Sequence, residues 1–489
     1  MLVASFLAGA VAAVAGAASA SELSDDLSAR RARVMERLGP DAMLILWSAP
    51  PRRYSLDIDY EYRQDSNLYY LTGVSQEATI LVLMPGNVER RAVLFVKDRD
   101  PAQEHWRGKV LTVGEARART GIETVMVTSR FEAFVDGMFG RQASGPVTAP
   151  DAARFFEALS ADRGRLALVY DAGAADSVPA PVQFANRLRS RFSGFTTANV
   201  TAVFDDLRAV KTPYERQVLV KSLEISSDAQ MAGMRTARPG AYEYEVKASV
   251  EAVHRGRGAV SWSYPSIVGS GPNATILHYP DGDRRMESGD LLLVDAACNF
   301  GYMSGDITRT YPVNGTFSAS QKEIYRIVLE AQEAGVAAAG KTGATLQDVH
   351  AATVEVIKAG LLKLGLITDP RGEQYRLWYT HGASHYIGID VHDVGSRARV
   401  LQPGMAFTIE PGLYIRPGVL EGMPRTPDNV TFIERVQPAV RRYADIGVRI
   451  EDSYLVEEKG LINLSAAVPK SIEAVEAFLR VKGRDSKHP

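Results

Sequence analysis

Apolar and polar positions follow two different rhythms along this chain. In the first part, short apolar runs recur between polar stretches: Ala42-Met43-Leu44-Ile45-Leu46-Trp47, Ala78-Thr79-Ile80-Leu81-Val82-Leu83, and Arg91-Ala92-Val93-Leu94-Phe95-Val96 after a turn at Pro85-Gly86. Runs of this length and make-up read as buried strands. Residues 22 to about 200 are therefore expected to form an α/β domain. The segment Leu207 to Glu215 marks a hand-over. Thr212 can cap a helix whose first turn accepts Pro213, because that position has no use for an N–H. This helix is expected to run to about Thr236, where Pro239-Gly240 stops it, and later helices to cover 319–339 and 345–365. Residues 205–475 then make a second domain of helices over an antiparallel sheet.

In the second domain the apolar runs end on acids. Leu291-Leu292-Leu293-Val294 leads into Asp295, and eleven residues later Asp306 opens the alternating stretch Asp306 to Thr310, read as the next strand of a hairpin. Met405-Ala406-Phe407-Thr408-Ile409 leads into Glu410, which Pro411-Gly412 cuts off. In Gly447-Val448-Arg449-Ile450-Glu451, Arg449 and Glu451 share one face by the two-residue strand period, opposite Val448 and Ile450. A carboxylate at the end of an apolar run must be paired, protonated or metal-bound. With His385, these four acids match what two hard divalent cations need, four negative charges against four positive ones. Such a centre can activate water and polarise a carbonyl. Any one of the five alone is an ordinary turn residue or ion pair; together they indicate a dinuclear metallohydrolase.

Composition narrows the class further. At 489 residues the chain is too long for one ordinary core, and 46% hydrophobic with 23% charged residues is globular. The net charge is −2, and no basic block or aromatic-interleaved patch is present, so nucleic acid is not an indicated partner. Residues 1–20 carry no charge and end in Ala18-Ser19-Ala20, a small-x-small cleavage pattern that reads as a secretory signal peptide, although no Lys or Arg precedes the apolar stretch. Export to the periplasm or medium is expected if that segment works, a cytoplasmic location otherwise, with no stable membrane anchor. The single cysteine, Cys298, cannot form an internal disulfide and reads as a small buried strand residue.

The acid-bearing stretches resemble one family. Leu293-Val294-Asp295-Ala296, Ser304 to Thr310, HGASHYIGIDVHDVG from His381 to Gly395, TIEPGLYI from Thr408 to Ile415, and GVRIEDSYLV from Gly447 to Val456 are similar to the pita-bread metallopeptidases, as is IVGSGPNATILHY from Ile267 to Tyr279. Tyr62 to Gly73 resembles the creatinase-like N-terminal domain of Xaa-Pro aminopeptidases and prolidases. The resemblance implies an α+β pita-bread catalytic domain. It implies that Asp295 chelates one ion, that Asp306 and Glu451 bridge two, and that His385 and Glu410 bind the other. It further implies that Glu410 shuttles a proton, His392 stabilises the oxyanion, His278 sits near the scissile nitrogen and His381 lines the same wall. Arg449 would support the bridging carboxylates, and His381, His392 and Tyr414 would shape the proline pocket.

Among metals, an oxygen-rich site with one imidazole favours Mn²⁺, Co²⁺ or Fe²⁺; Mn²⁺ is the family's metal and Zn²⁺ an alternative. The implied activity is an Xaa-Pro aminopeptidase, a homo-oligomer (dimer or tetramer) that releases the first residue of peptides with proline second, by a metal-bridging hydroxide. A prolidase confined to dipeptides is the alternative, and a non-catalytic binding protein of the same fold a remoter one. Ser384 and the exported location favour the aminopeptidase. Residues 416–442, polar and carrying Pro417, Pro424 and Pro427, read as a surface excursion that can rim the site.

Overall fold

The computed structural model describes residues 20–143, 145–147, 149–171, 173 and 178–485. The expected leader at 1–20 lies, but for Ala20, outside the described residues. The chain divides into two compact units, Met1–Leu207 and Arg208–Pro489.

In the first unit the apolar runs become the middle of a six-stranded mixed sheet. In spatial order its strands are Thr124–Val127, Ala92–Val96, Ile80–Leu83, Ala42–Trp47, Gly164–Leu168 and Phe195–Asn199. Ala42–Trp47 runs antiparallel to Ile80–Leu83 and parallel to Gly164–Leu168. The second strand starts at Ile80 rather than Ala78, because Ala78 takes a left-handed φ of 52° that no strand can hold. Helices close over the sheet on a core that includes Phe95, Phe131, Phe134 and Phe155.

The second unit pairs long helices over antiparallel strands. Thr212 and Glu215 form a capping box at the head of Pro213–Thr236, with proline in its first turn. Ala319–Ala339 and Leu346–Lys363 start on the same kind of box, at Ser318 and Thr345. Ile267–Ser270, Leu291–Asp295 and Thr308–Pro312 make one three-stranded sheet in which Asp295 lies opposite both Ile267 and Thr308. Ala406–Ile409 pairs with Asp452–Glu457, and Gly412–Tyr414 with Gly447–Arg449.

Three expectations need correction. Asp306 is not the first residue of a strand: the ladder starts at Thr308, and the connection from Asp295 is not a plain hairpin turn. It carries two short strands, Cys298–Phe300 and Met303–Ser304, that belong to another sheet with Ser261–Trp262. Residues 416–442 are not a solvated excursion. Thr426 caps the helix Pro427–Arg442, which buries Phe432, Val436 and Val440 in the main core, and Leu420 joins them. Its three-to-four-residue apolar spacing is obscured by the prolines: Pro427 sits in the first turn and Pro424 before the cap, where helices tolerate them, but Pro438 lies inside the helix. Finally, the helix Ile472–Asp485 adds Ile472, Val475 and Leu479 to the same core, so this unit continues past residue 475. No described helix is long and apolar enough to cross a membrane.

Candidate active site

The acids come from strand ends or the turns beside them; Asp295, Asp306 and Glu451 are buried and Glu410 is partly buried. Asp295 closes Leu291–Asp295, Glu410 follows Ala406–Ile409, and Glu451 sits in the break between Gly447–Arg449 and Asp452–Glu457. Asp306 comes from the turn before Thr308, where Ser453 Oγ donates to its carbonyl at 2.6 Å. A seam joins the two sheets here: Glu451 N donates to Thr308 O at 3.1 Å, and Thr308 Oγ1 donates to Glu451 Oε2 at 2.6 Å.

His385 sits between the acids. Its Nδ1 lies 3.1 Å from Tyr386 O, which places the proton there and leaves the Nε2 lone pair facing inward. That nitrogen is 3.4 Å from Asp306, 3.5 Å from Glu410 and 4.0 Å from Glu451. One ligand atom each from Asp306, His385 and Glu451 lie within 4.8 Å of one another. Burial first, then the charge of Glu451, pushes the Glu410 carboxyl up to about 8. Burial, followed by the neighbouring acids, raises Asp306 and Glu451 well above the usual carboxylate range. Several acids facing one another and one lone pair resist ionisation, through burial and because their negative charges repel, and positive charge at the centre would relieve that repulsion. Oxygen-rich donors with one imidazole fit hard divalent cations.

Sequence reasoning missed Tyr264. Its hydroxyl bonds both Asp295 Oδ1 and Asp306 Oδ1, and burial together with the charges of those two acids holds its own ionisation far above normal. The signal was the register. Ile267 lies opposite Asp295, so a residue just before that strand falls beside the carboxylate. Thr308 was also missed. Arg449 Nη2 pairs with Asp295 Oδ2 at 2.6 Å, while its Nε donates to Thr308 Oγ1 at 3.2 Å and its Nη1 to Tyr414 Oη at 2.8 Å. Its ion pair is thus with Asp295, and it reaches Glu451 only through Thr308.

The cluster opens into a cavity of about 760 Å³ whose lining includes His278, His381, His392 and Arg397. His381 Nε2 lies 2.8 Å from Tyr414 Oη and its Nδ1 2.8 Å from Gly382 O. Gly412 makes that pair possible, because a Cβ there would overlap Tyr414 Oη and crowd His381 Nε2 at 3.1 Å. Burial above all lowers His381 to about 3. The His392 ring stands edge-on to His385 at 4.3 Å, and burial above all lowers it to about 4. Both imidazoles are therefore neutral at neutral pH. His278 is exposed at the wall. Tyr414 is buried. Ser384, expected to bear on specificity, is buried and gives its hydroxyl to Thr408 O. Among the described residues nothing from 416–442 lines the cavity.

Residues 27–147 match the model of the aminopeptidase P N-terminal domain, and residues 217–458 that of metallopeptidase family M24. The Xaa-Pro aminopeptidase of Escherichia coli (strain K12) is 33% identical over 479 residues, which cover 94% of this chain and 98% of that protein. This chain belongs to the aminopeptidase P family. Xaa-Pro aminopeptidase 3 of Homo sapiens is 30% identical, over 90% of this chain and 81% of its own length. Among solved structures, Pseudomonas aeruginosa aminopeptidase PepP superposes with a TM-score of 0.79 at 32% identity, covering 96% of this chain and 99% of that one. Zn-substituted E. coli aminopeptidase P in complex with product gives 0.78 at 31%, covering 96% and 99%. The aminopeptidase P architecture, an N-terminal domain followed by a pita-bread catalytic domain, is the one described above. As a member of family M24 the protein is a metal-dependent peptidase, with Asp306, His385 and Glu451 forming a buried cluster of metal-ligand type.

Proposed function

We propose that this protein is an Xaa-Pro aminopeptidase that works at the cluster of Asp295, Asp306, His385, Glu410 and Glu451. The observation that carries the reading is the convergence of Asp306, Glu410 and Glu451 on the inward Nε2 of His385, with Asp295 joined to Asp306 through the Tyr264 hydroxyl, beside a cavity large enough for a short peptide. Two divalent ions held by the five residues would activate a water and polarise the scissile carbonyl. The donor set suits Mn²⁺, Co²⁺ or Fe²⁺, and the resemblance to the family makes Mn²⁺ the first choice.

Glu410 takes the proton of the attacking water and hands it to the departing nitrogen, a task suited to a carboxylate that lines the cavity beside His385. His392, neutral at working pH, donates a ring N–H to the carbonyl oxygen as it gains charge. His278, on the cavity wall, faces the scissile nitrogen. His381 lines the cavity where the proline ring would sit, and Tyr414, buried and outside the cavity lining, orients His381 from behind through a hydroxyl that Arg449 holds in turn. Proline requires such a site because its nitrogen has no N–H for an ordinary peptidase to grip and its ring fixes φ.

The deciding experiment is product analysis on Mn²⁺-loaded protein given Arg-Pro-Pro and Ala-Pro side by side. Release of Arg from the tripeptide with little dipeptide cleavage is the expected result. Cleavage of the dipeptide alone would make the protein a prolidase. Glu410→Gln is expected to keep its metal and lose about 10²-fold or more in kcat; normal turnover with metal bound would remove the proton-shuttle role.

A further inference from the structure

Two glutamines outside the cavity stand in matching places. Gln230 is fully buried on the helix Pro213–Thr236, and Gln332 fully buried on Ala319–Ala339. The Gln230 amide nitrogen donates to Ile307 O at 2.8 Å, Ala296 O at 3.1 Å and Val294 O at 3.4 Å. These carbonyls belong to the residues on both sides of Asp295 and the one after Asp306. The Gln332 amide nitrogen lies 3.3 Å from Ile409 O, 3.3 Å from Ile450 O and 3.3 Å from Asp452 Oδ2. Those groups belong to the residue before Glu410 and the residues on both sides of Glu451. Each glutamine therefore ties together two separate strand ends that bear one pair of acids.

We infer that Gln230 and Gln332 are positioning residues, one for the Asp295–Asp306 pair and one for the Glu410–Glu451 pair, which set the spacing of the carboxylates that hold the metals. A residue there for packing alone would not need an amide. The Gln230 carbonyl oxygen is buried and accepts no hydrogen bond among the described residues, so only its NH₂ is used. Gln332 is oriented from behind: Lys470 Nζ donates to its Oε1 at 2.8 Å and to Asp452 Oδ2 at 2.6 Å. The amide nitrogen is thereby held towards the strand ends.

The inference rests on the ligand assignment above, and its test keeps the two apart. Metal-free wild type, Gln230→Met and Gln332→Met are titrated with Mn²⁺ by calorimetry, and their unfolding is followed without metal. Methionine keeps the length and removes the donors. Ser226→Ala is the control, since Ser226 is buried on the same helix as Gln230 but bonds Cys298 N and Ser222 O, neither of which adjoins a ligand. Both glutamine variants are expected to bind Mn²⁺ about 10–100-fold more weakly, while losing no more metal-free stability than the control, which keeps wild-type affinity. Lys470→Met, at a partly exposed lysine, frees the Gln332 amide to turn and is expected to weaken binding in the same direction should a glutamine variant fail to fold. Wild-type affinity in the glutamine and Lys470 variants would overturn the inference, and so would an equal loss in Ser226→Ala. Absence of Mn²⁺ binding by the wild type would instead overturn the ligand assignment.

Discussion

A single phenolic proton shared between two acids is a tight local constraint, and Tyr264 imposes one on Asp295 and Asp306. Tyr264→Phe keeps the ring and removes that bond. A loss of about 10–100-fold in kcat at saturating Mn²⁺ is expected, with little change in the unfolding midpoint. His254 gives a prediction of the opposite kind. Both of its ring nitrogens are buried without a partner among the described residues, and burial lowers its pKa from 6.5 to about 4. Between those values the unfolded chain holds a proton that the folded one does not, so stability falls as pH drops from 6.5 to about 4. The loss should reach about 3 kcal/mol, read as the difference between denaturation curves across that window, and His254→Phe should flatten it. At this scale much was legible. Asp295 and Glu410 stand out because each ends an apolar run where an acid has no ordinary business, whereas Asp306, His385 and Glu451 are marked only by the set of motifs they complete. Tyr264 and Thr308 gave no such signal, since a tyrosine or threonine beside a strand is unremarkable until the register is known.

Among the elements, the helices marked by Thr, Pro and Glu at their heads could be read directly, because a cap leaves a local signature. Thr212→Ala should cost about 1 kcal/mol through loss of its box with Glu215. The helix Pro427–Arg442 was not legible, because its prolines and polar face imitate a loop and only the buried Phe432, Val436 and Val440 show its purpose. Phe432→Ala should destabilise the catalytic unit by about 3 kcal/mol or more while leaving KM unchanged, since 416–442 does not line the cavity. Were that stretch only a solvated rim, the same change would shift KM and spare stability. The short sheet that interrupts the connection from Asp295 to Thr308 was also hidden, because Cys298–Phe300 and Met303–Ser304 are too short for a periodicity to appear.

For the whole molecule, the two units carry separate cores, and the acid cluster belongs to only one of them. Metal removal should therefore act selectively. Chelation is expected to lower one of two calorimetric transitions and leave the other in place, and Mn²⁺ at about a thousandfold excess over its Kd should restore about 4 kcal/mol. A uniform drop would mean that the units unfold as one. The division into an α/β part and an acid-bearing part was visible in the chain because strand-length runs give way to capped helices near Thr212. The matching of the helices Pro213–Thr236 and Ala319–Ala339 was not, because it lies in where Gln230 and Gln332 point and not in any repeated string of residues.

The seam between Thr308 and Glu451 has a consequence for how this catalyst can be divided. One acid pair is encoded before the exposed turn at Asn314-Gly315 and the other well after it. Neither portion alone owns enough negative charge for two divalent ions. Cleaved at that turn, the polypeptide would have no half-active fragment to fall back on; the ions would become the rivet, and the fragments should reassociate in proportion to the metal supplied.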